Sequence, residues 1–216
     1  MKERVFLCPL KGKAMNDEGY VKYQCVHSDG PAPEHPAWQE LNELRSDLVK
    51  AGLVGVLENG VGYGNVSLRS EGEGLFVVSA TSTGHIAELG PEHYCLVTDC
   101  DIDANTVRSC GPLQASSESM THAAVYAASP ETGCVIHLHH AGLFGQLIEG
   151  QAPATAPDAA FGTPAMARSV EELVRRHPAD GIIAMTGHPD GFLMYAPSVA
   201  HMRDLLYMLS QGYIPC

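Results

Sequence analysis

Val135-Ile136-His137-Leu138-His139 is the stretch that most restricts what this chain can become, because it sets two imidazoles two residues apart inside a β-branched, apolar run. Side chains alternate along a strand, so His137 and His139 share one face while Leu138 enters the opposite layer. Two polar rings on one face of an apolar strand need buried partners. A single cation satisfies both at once: neutral imidazole is the commonest protein metal ligand, and a catalytic zinc takes three protein ligands with a fourth position open. The alternative is a pair of half-buried histidines, each with its own hydrogen-bond partner.

The surroundings limit the classes available. A chain of 216 residues builds one sizeable core or at most two small ones, and 45% hydrophobic with 18% charged residues is the composition of a soluble globular protein. With 25 acidic against 13 basic side chains the net charge is −12, which speaks against nucleic-acid and anionic-membrane partners. The apolar run Val5 to Leu10 is too short for a signal-peptide core, and no later stretch is long enough to span a bilayer, so a cytoplasmic location is expected. Seven cysteines without a CxxC pair read as buried small hydrophobes. The five lysines are Lys2, Lys11, Lys13, Lys22 and Lys50, which removes Schiff-base chemistry from the remaining three quarters of the chain.

In chain order, residues 1–35 differ in texture from the rest and read as an N-terminal arm packed on a main domain of residues 36–216. Gly19 to Val26 alternates weakly, as a strand would, and Ser28 to Pro33 is turn chemistry. Leu41, Leu44 and Leu48 repeat at helical spacing between Pro36 and Gly52. Three glycines in Gly60-Val61-Gly62-Tyr63-Gly64 precede an alternating strand, Asn65 to Arg69, where bare backbone amides suit an anion. Glu71 to Gly74 turns into a strand ending at Ser79, followed by the small polar loop Thr81-Ser82-Thr83-Gly84-His85. A hairpin over Tyr94–Asp101 and Asn105–Cys110 comes next.

Ala115-Ser116-Ser117-Glu118-Ser119 opens a helix with Ser116 or Ser117 as N-cap, Met120, Ala123, Ala124 and Ala127 turned inward, and an anion site at its free amides. Further helices are expected over Ala141–Ile148, Thr163–Arg176 and from Pro197 onward, with the last turning Leu205, Leu206 and Leu209 to the core. A strand over Gly181–Met185 breaks at Thr186 to Gly191 and resumes at Phe192. The tight turn at that break can aim a side chain at a point, which makes His188 the third ligand. His27, His35 and His177 read as surface residues and His201 lies on the last helix. His85, His93 and His122 are candidates for groups behind the ligands, His122 standing one helical turn from Glu118, while His140 has the wrong face for the same ion.

The order of Gly64-Asn65-Val66-Ser67, Ser82-Thr83-Gly84, Ala115-Ser116-Ser117-Glu118, His137-x-His139 and Gly187-His188 resembles that of the class II aldolase/adducin family from about residue 40 to the C-terminus. The resemblance implies a three-layer α/β/α domain on a mostly antiparallel sheet, usually a homo-oligomer, with a tetramer favoured. It implies zinc on His137, His139 and His188, Glu118 as the acid/base, and a phosphate held by Gly64, Asn65, Thr83, Gly84, Ser116 and Ser117. A zinc-dependent lyase acting on a small phosphorylated or carboxylated ketose-like substrate follows, by retro-aldol cleavage through a metal-stabilised enediolate. With no lysine at hand for an imine, a metal is the remaining electron sink. Three other readings stand beside it: a dehydratase on the same site, a zinc hydrolase with Glu118 as base, and a non-catalytic module like the adducin head. The sequence departs from the family at His188-Pro189-Asp190-Gly191, where the aldolases continue histidine-glycine. Tyr207 and Tyr213 are candidates for an assisting tyrosine, with core packing the expected role of Tyr207.

Overall fold

Along residues 134–139 every side chain except the last is buried, on both faces, and a strand of that kind needs an apolar layer above and below it. The computed structural model, which describes residues 4–6, 21–72 and 75–214, supplies both layers. In chain order the elements are β1 (Arg4–Phe6), β2 (Gln24–Asp29), α1 (Trp38–Lys50), β3 (Gly55–Val56), β4 (Gly62–Tyr63), β5 (Asn65–Arg69), β6 (Phe76–Ser79), β7 (Tyr94–Asp101) and β8 (Thr106–Gly111). They continue with α2 (Ser119–Ala128), β9 (Cys134–His139), α3 (Ala141–Glu149), α4 (Pro164–Arg176), β10 (Gly181–Ala184), β11 (Gly191–Ala196) and α5 (Val199–Ser210).

Nine strands form one sheet in the order β1-β2-β8-β7-β6-β5-β9-β11-β10, antiparallel throughout except for the parallel pair of β2 and β8. Helices α2 and α4 pack on one face over Val135, Leu193 and Tyr195. On the other, α1 and α5 cover Ile136, Leu138, Phe192 and Met194. The expected three-layer α/β/α architecture is what the chain adopts. Leu138 is fully buried on the α1/α5 side, worth roughly 1.5–3 kcal/mol, and its strand neighbours His137 and His139 therefore face the α2/α4 side.

Several local expectations give way to tertiary context. The early strand is β2, at Gln24–Asp29 rather than Gly19–Val26, because parallel pairing with β8 extends it through Ser28 and Asp29; Gly19 and Tyr20 lie outside the described residues. That register buries His27, whose Nδ1 meets Ser109 Oγ at 2.9 Å, so it is no surface residue. Helix α2 starts at Ser119, later than Ser116 or Ser117 would have it, with Glu118 at the N-cap position and no side-chain cap bond. Its residues 119–126 are all buried between sheet and α4, while Ala127 faces outward, so the inward stripe is really about two full turns of buried surface. Tyr207 is 68% exposed on α5, not packed in the core.

Candidate functional site

The site begins with the pairing of β9 and β11, which sets Gly191 opposite His139 and Leu193 opposite His137. His188 precedes β11 in a turn closed by its own amide donating to Met185 O (2.8 Å) and by Gly191 N donating to His188 O (3.0 Å). Asp190 takes φ of 60° there, a left-handed conformation that aspartate tolerates better than most residues. Its carbonyl accepts from His140 N at 3.0 Å, so the Pro189-Asp190 departure is absorbed into the end of β9. Gly187 has no alternative: a Cβ would stand 1.8 Å from Ala159 O.

This frame brings three imidazole nitrogens to one point. His137 Nε2 lies 2.9 Å from His139 Nε2 and 3.2 Å from His188 Nε2, and the last two are 3.0 Å apart. His137 Nδ1 donates to Phe192 O at 3.2 Å, which fixes its proton there and leaves Nε2 with a bare lone pair. Each of the other two Nε2 atoms can bring at most one proton to the triangle, so hydrogen bonding satisfies at most two of its three edges. A cation about 2 Å from every corner satisfies all three at once, which is the zinc–imidazole distance. Burial and the adjacent imidazoles hold His137 well below the ordinary histidine range, keeping it in the neutral form a metal needs. The cluster could hold a metal ion.

Glu118 is 1% exposed, and its Oε2 accepts from Thr121 Oγ1 at 2.6 Å. Thr121 lies three residues on, the spacing at which helical side chains meet. The carboxyl and the histidines flank one short turn: Glu118 Oε1 lies 3.8 Å from where a Cβ on Gly162 would stand, and the preceding Phe161 stacks on the His188 ring at 4.2 Å between centroids. Behind it, His122 donates or accepts through Nδ1 with Ser67 Oγ at 2.7 Å, in a chain that continues to Tyr126. His140 caps α3 by accepting from Leu143 N, and His93 accepts from Gly90 N. Of the candidates for supporting roles, His122 is thus buried behind the site, and His85 lines the cavity beside it.

The six residues expected to hold an anion, Gly64, Asn65, Thr83, Gly84, Ser116 and Ser117, all line one cavity of about 570 Å³. Asn65 stands directly opposite His137 in the sheet, which joins the cavity to the histidine cluster. Gly64 adopts φ of 75° with its missing Cβ 3.1 Å from His137 O, and a Cβ on Gly84 would fall 2.2 Å from Gly55 O, so both backbones must stay bare. Arg45, buried on α1, donates to Thr83 O, Ile86 O and Ala87 O at 2.7–3.1 Å and so pins the Thr83 loop from beneath.

Several groups here escaped sequence reading. Arg45 sits in a helix whose leucines account for its pattern, and Phe161 falls in an alanine- and proline-rich loop. The larger correction concerns Lys22. Its ammonium lies 3.5 Å from the centroid of the Phe161 ring, so a lysine does stand at the site, and the expectation that none is at hand fails there. Tyr23 beside it donates to Ser116 O at 2.8 Å.

An α/β/α sheet with a three-histidine cluster on one face, a buried carboxyl at the head of the helix above it and a glycine-lined cavity alongside defines a class of fold with a metal-competent site. This chain belongs to the Class II Aldolase and Adducin N-terminal domain family, matching it over residues 55–212. Among solved structures, the L-fuculose-1-phosphate aldolase of Thermus thermophilus superposes with a TM-score of 0.55 at 23% identity, covering 83% of this chain and 97% of that one. YgbL of Klebsiella pneumoniae, described by the three activities aldolase, epimerase and decarboxylase, gives 0.56 at 18% identity over 81% and 86% of the two chains. The sugar-phosphate aldolase of Thermotoga maritima gives 0.54 at 16% over 81% and 91%. No curated protein matches the sequence. No helix among the described residues is long and apolar enough to cross a membrane.

Proposed function

We propose that this protein is a metal-dependent lyase that cleaves a carbon–carbon bond beside the carbonyl of a small phosphorylated or carboxylated ketose-like compound. The observation that carries the reading is the triangle of Nε2 atoms at 2.9–3.2 Å, whose edges hydrogen bonding alone cannot satisfy. His137, His139 and His188 would hold the ion, and an all-imidazole set with a fourth position open suits zinc. When bound, a divalent cation supplies Lewis-acid stabilisation for negative charge developing next to the carbonyl.

The chain's own residues do the remainder. Glu118, held by Thr121, moves the proton at the reacting carbon. Gly64, Asn65, Thr83, Gly84, Ser116 and Ser117 offer amides and hydroxyls to a phosphate or carboxylate, and Arg45, by holding Thr83 O, steadies the Thr83-Gly84 part of that handle relative to the reacting carbon. The exposed Tyr207 and Tyr213 support a homo-oligomer, for which a tetramer is the proposed assembly.

The test is incubation of the zinc-loaded protein with a panel of ketose 1-phosphates, following release of dihydroxyacetone phosphate. Glu118→Gln is expected to lower kcat by about 10²–10⁴-fold with zinc content unchanged. Protein purified without added metal that holds none, and binds none on titration, would overturn the reading. Release of water with the carbon skeleton intact would convert it to a dehydratase.

A further inference from the structure

The matched family region begins at residue 55, yet Val21, well before it, lines the site's cavity, with Lys22 and Tyr23 following it in the chain. This segment is held on both sides. Asn105 Nδ2 donates to Lys22 O at 3.2 Å and Gln24 N donates to Asn105 O at 2.8 Å, while Tyr23, 4% exposed, donates its hydroxyl to Ser116 O. Val21 thereby lines the same cavity as Ser116 and Ser117.

Lys22 is placed between two parts of the reacting end. Its Cβ lies 3.6 Å from where a Cβ on Gly162 would stand, and Glu118 Oε1 is 3.8 Å from that same position. Its ammonium sits on the Phe161 ring, which in turn stacks on His188, so it is no farther from that imidazole than those two short spans placed end to end. In a chain of net charge −12, a half-buried lysine whose stem shares the Gly162 turn with Glu118 and whose ammonium rests on the ring stacked against His188 is a specific arrangement.

We infer that Lys22 is a further substrate-contacting residue, whose ammonium binds anionic oxygen at the reacting end of the substrate, opposite the end held by the glycine-lined cavity. The inference rests on the lyase reading for its substrate but not for its geometry. Phe161 serves as the rest for the lysine stem, so the charge is aimed without being buried. Anionic oxygen at that place has two sources: a carboxylate present in the ground state, or oxygen that gains charge only as the bond breaks.

The experiment compares wild-type protein with Lys22→Met, which keeps the apolar stem, and Lys22→Arg, which keeps the charge. Calorimetric titrations use glycolate, an anion, and dihydroxyacetone, its neutral counterpart, each with zinc and after chelation. A ground-state carboxylate site predicts that Lys22→Met weakens glycolate by about tenfold or more, that Lys22→Arg restores most of it, and that dihydroxyacetone is unaffected. Charge that develops only during reaction predicts unchanged glycolate binding, kcat lowered about tenfold or more, and KM unchanged. Equal behaviour of wild type and Lys22→Met in both assays overturns the inference, as does equal weakening of the neutral ligand, which would mark a packing role. Borohydride trapping of a ketone on Lys22 would also overturn it, by assigning the lysine to covalent chemistry. Loss of metal from wild type would sink the lyase reading alone, since Lys22-dependent glycolate binding after chelation would survive it.

Discussion

The two halves of the site are built from different material. The histidine half hangs on paired strands: His137 and His139 are fixed by β9, and the turn carrying His188 is closed at both ends by ladder and turn bonds. The anion half is assembled from four separated segments, around Val21, Gly60 to Asn65, Ala80 to His85 and Gln114 to Ser117, of which only Asn65 stands on a strand of the nine-stranded sheet; they are tied to one another by bonds such as Thr81 N to Gln114 O and Tyr23 Oη to Ser116 O. Ligand geometry that must hold to a few tenths of an ångström sits on the sheet, and recognition sits on loops that can change without disturbing it. The comparison teaches that substitutions in the first half should be all-or-none for metal, and those in the second graded for substrate.

The largest effect should come from breaking the first half. His188→Ala removes one corner of the triangle while leaving β9 and β11 paired, and zinc affinity should fall by more than the roughly 10–100-fold that follows loss of a group merely behind a ligand. Competition with a chromophoric chelator measures it, and an unchanged circular dichroism spectrum shows that the sheet persists. A variant that still holds stoichiometric zinc at wild-type affinity would break the comparison, because the cluster would then not be the metal site.

Next in size is the acid response of the polar chain between the halves. Burial holds His122 down to about 3 from an ordinary 6.5, so it stays neutral in the folded protein while the unfolded chain takes up a proton below pH 6.5. Between those values the unfolded state binds more protons, stability therefore rises with pH, and acidification from pH 6.5 toward 3 should cost up to about 1.4 kcal/mol per pH unit from this residue alone. Urea unfolding of metal-free protein across pH 4–7 checks it, with His122→Gln expected to flatten the slope whatever its effect on stability at pH 7. An unaltered slope in that variant would place the acid sensitivity elsewhere.

In the loop half, Gly84→Ala puts a Cβ 2.2 Å from Gly55 O. Relief requires the Thr83-Gly84 loop to move against Arg45, at about 1–3 kcal/mol by chemical denaturation, with a raised KM for phosphorylated substrates and unchanged zinc affinity. Gly72→Ala, whose Cβ meets nothing within 4 Å, is the control.

The same division explains what could be read from the sequence. Period-two alternation in Val135 to His139 assigned face and layer correctly, and the His188 turn announced itself through its break in an apolar run. The helix start at Ser116-Ser117 was misread because serine is a strong N-cap in isolation, whereas here Ala115 bridges to Ala80 and Ser116 is held by Tyr23, which delays α2 to Ser119. His27 and Lys22 were misplaced for a related reason. The burial of His27 depends on parallel pairing of β2 with β8 and the placement of Lys22 on Asn105 just before β8, contacts across about eighty residues that no local pattern encodes.

The smallest predicted effect tests whether the two halves are joined as tightly as they are individually built. Glu118 belongs to both: it follows the Ser116-Ser117 loop in sequence, yet shares the Phe161-Gly162 turn with His188 in space. Its aim depends on Thr121, whose hydroxyl donates to Oε2 at 2.6 Å from the first turn of α2. Thr121→Val keeps the side-chain shape and removes the donor, leaving a buried carboxylate oxygen to find another partner. The expected result is a kcat lowered about three- to tenfold with KM and zinc affinity unchanged, and Thr121→Ser should recover most of the loss. A change in KM instead would mean that Thr121 shapes the anion cavity rather than the carboxyl. In that event the junction of the halves lies at the 161–162 turn, not at the head of α2.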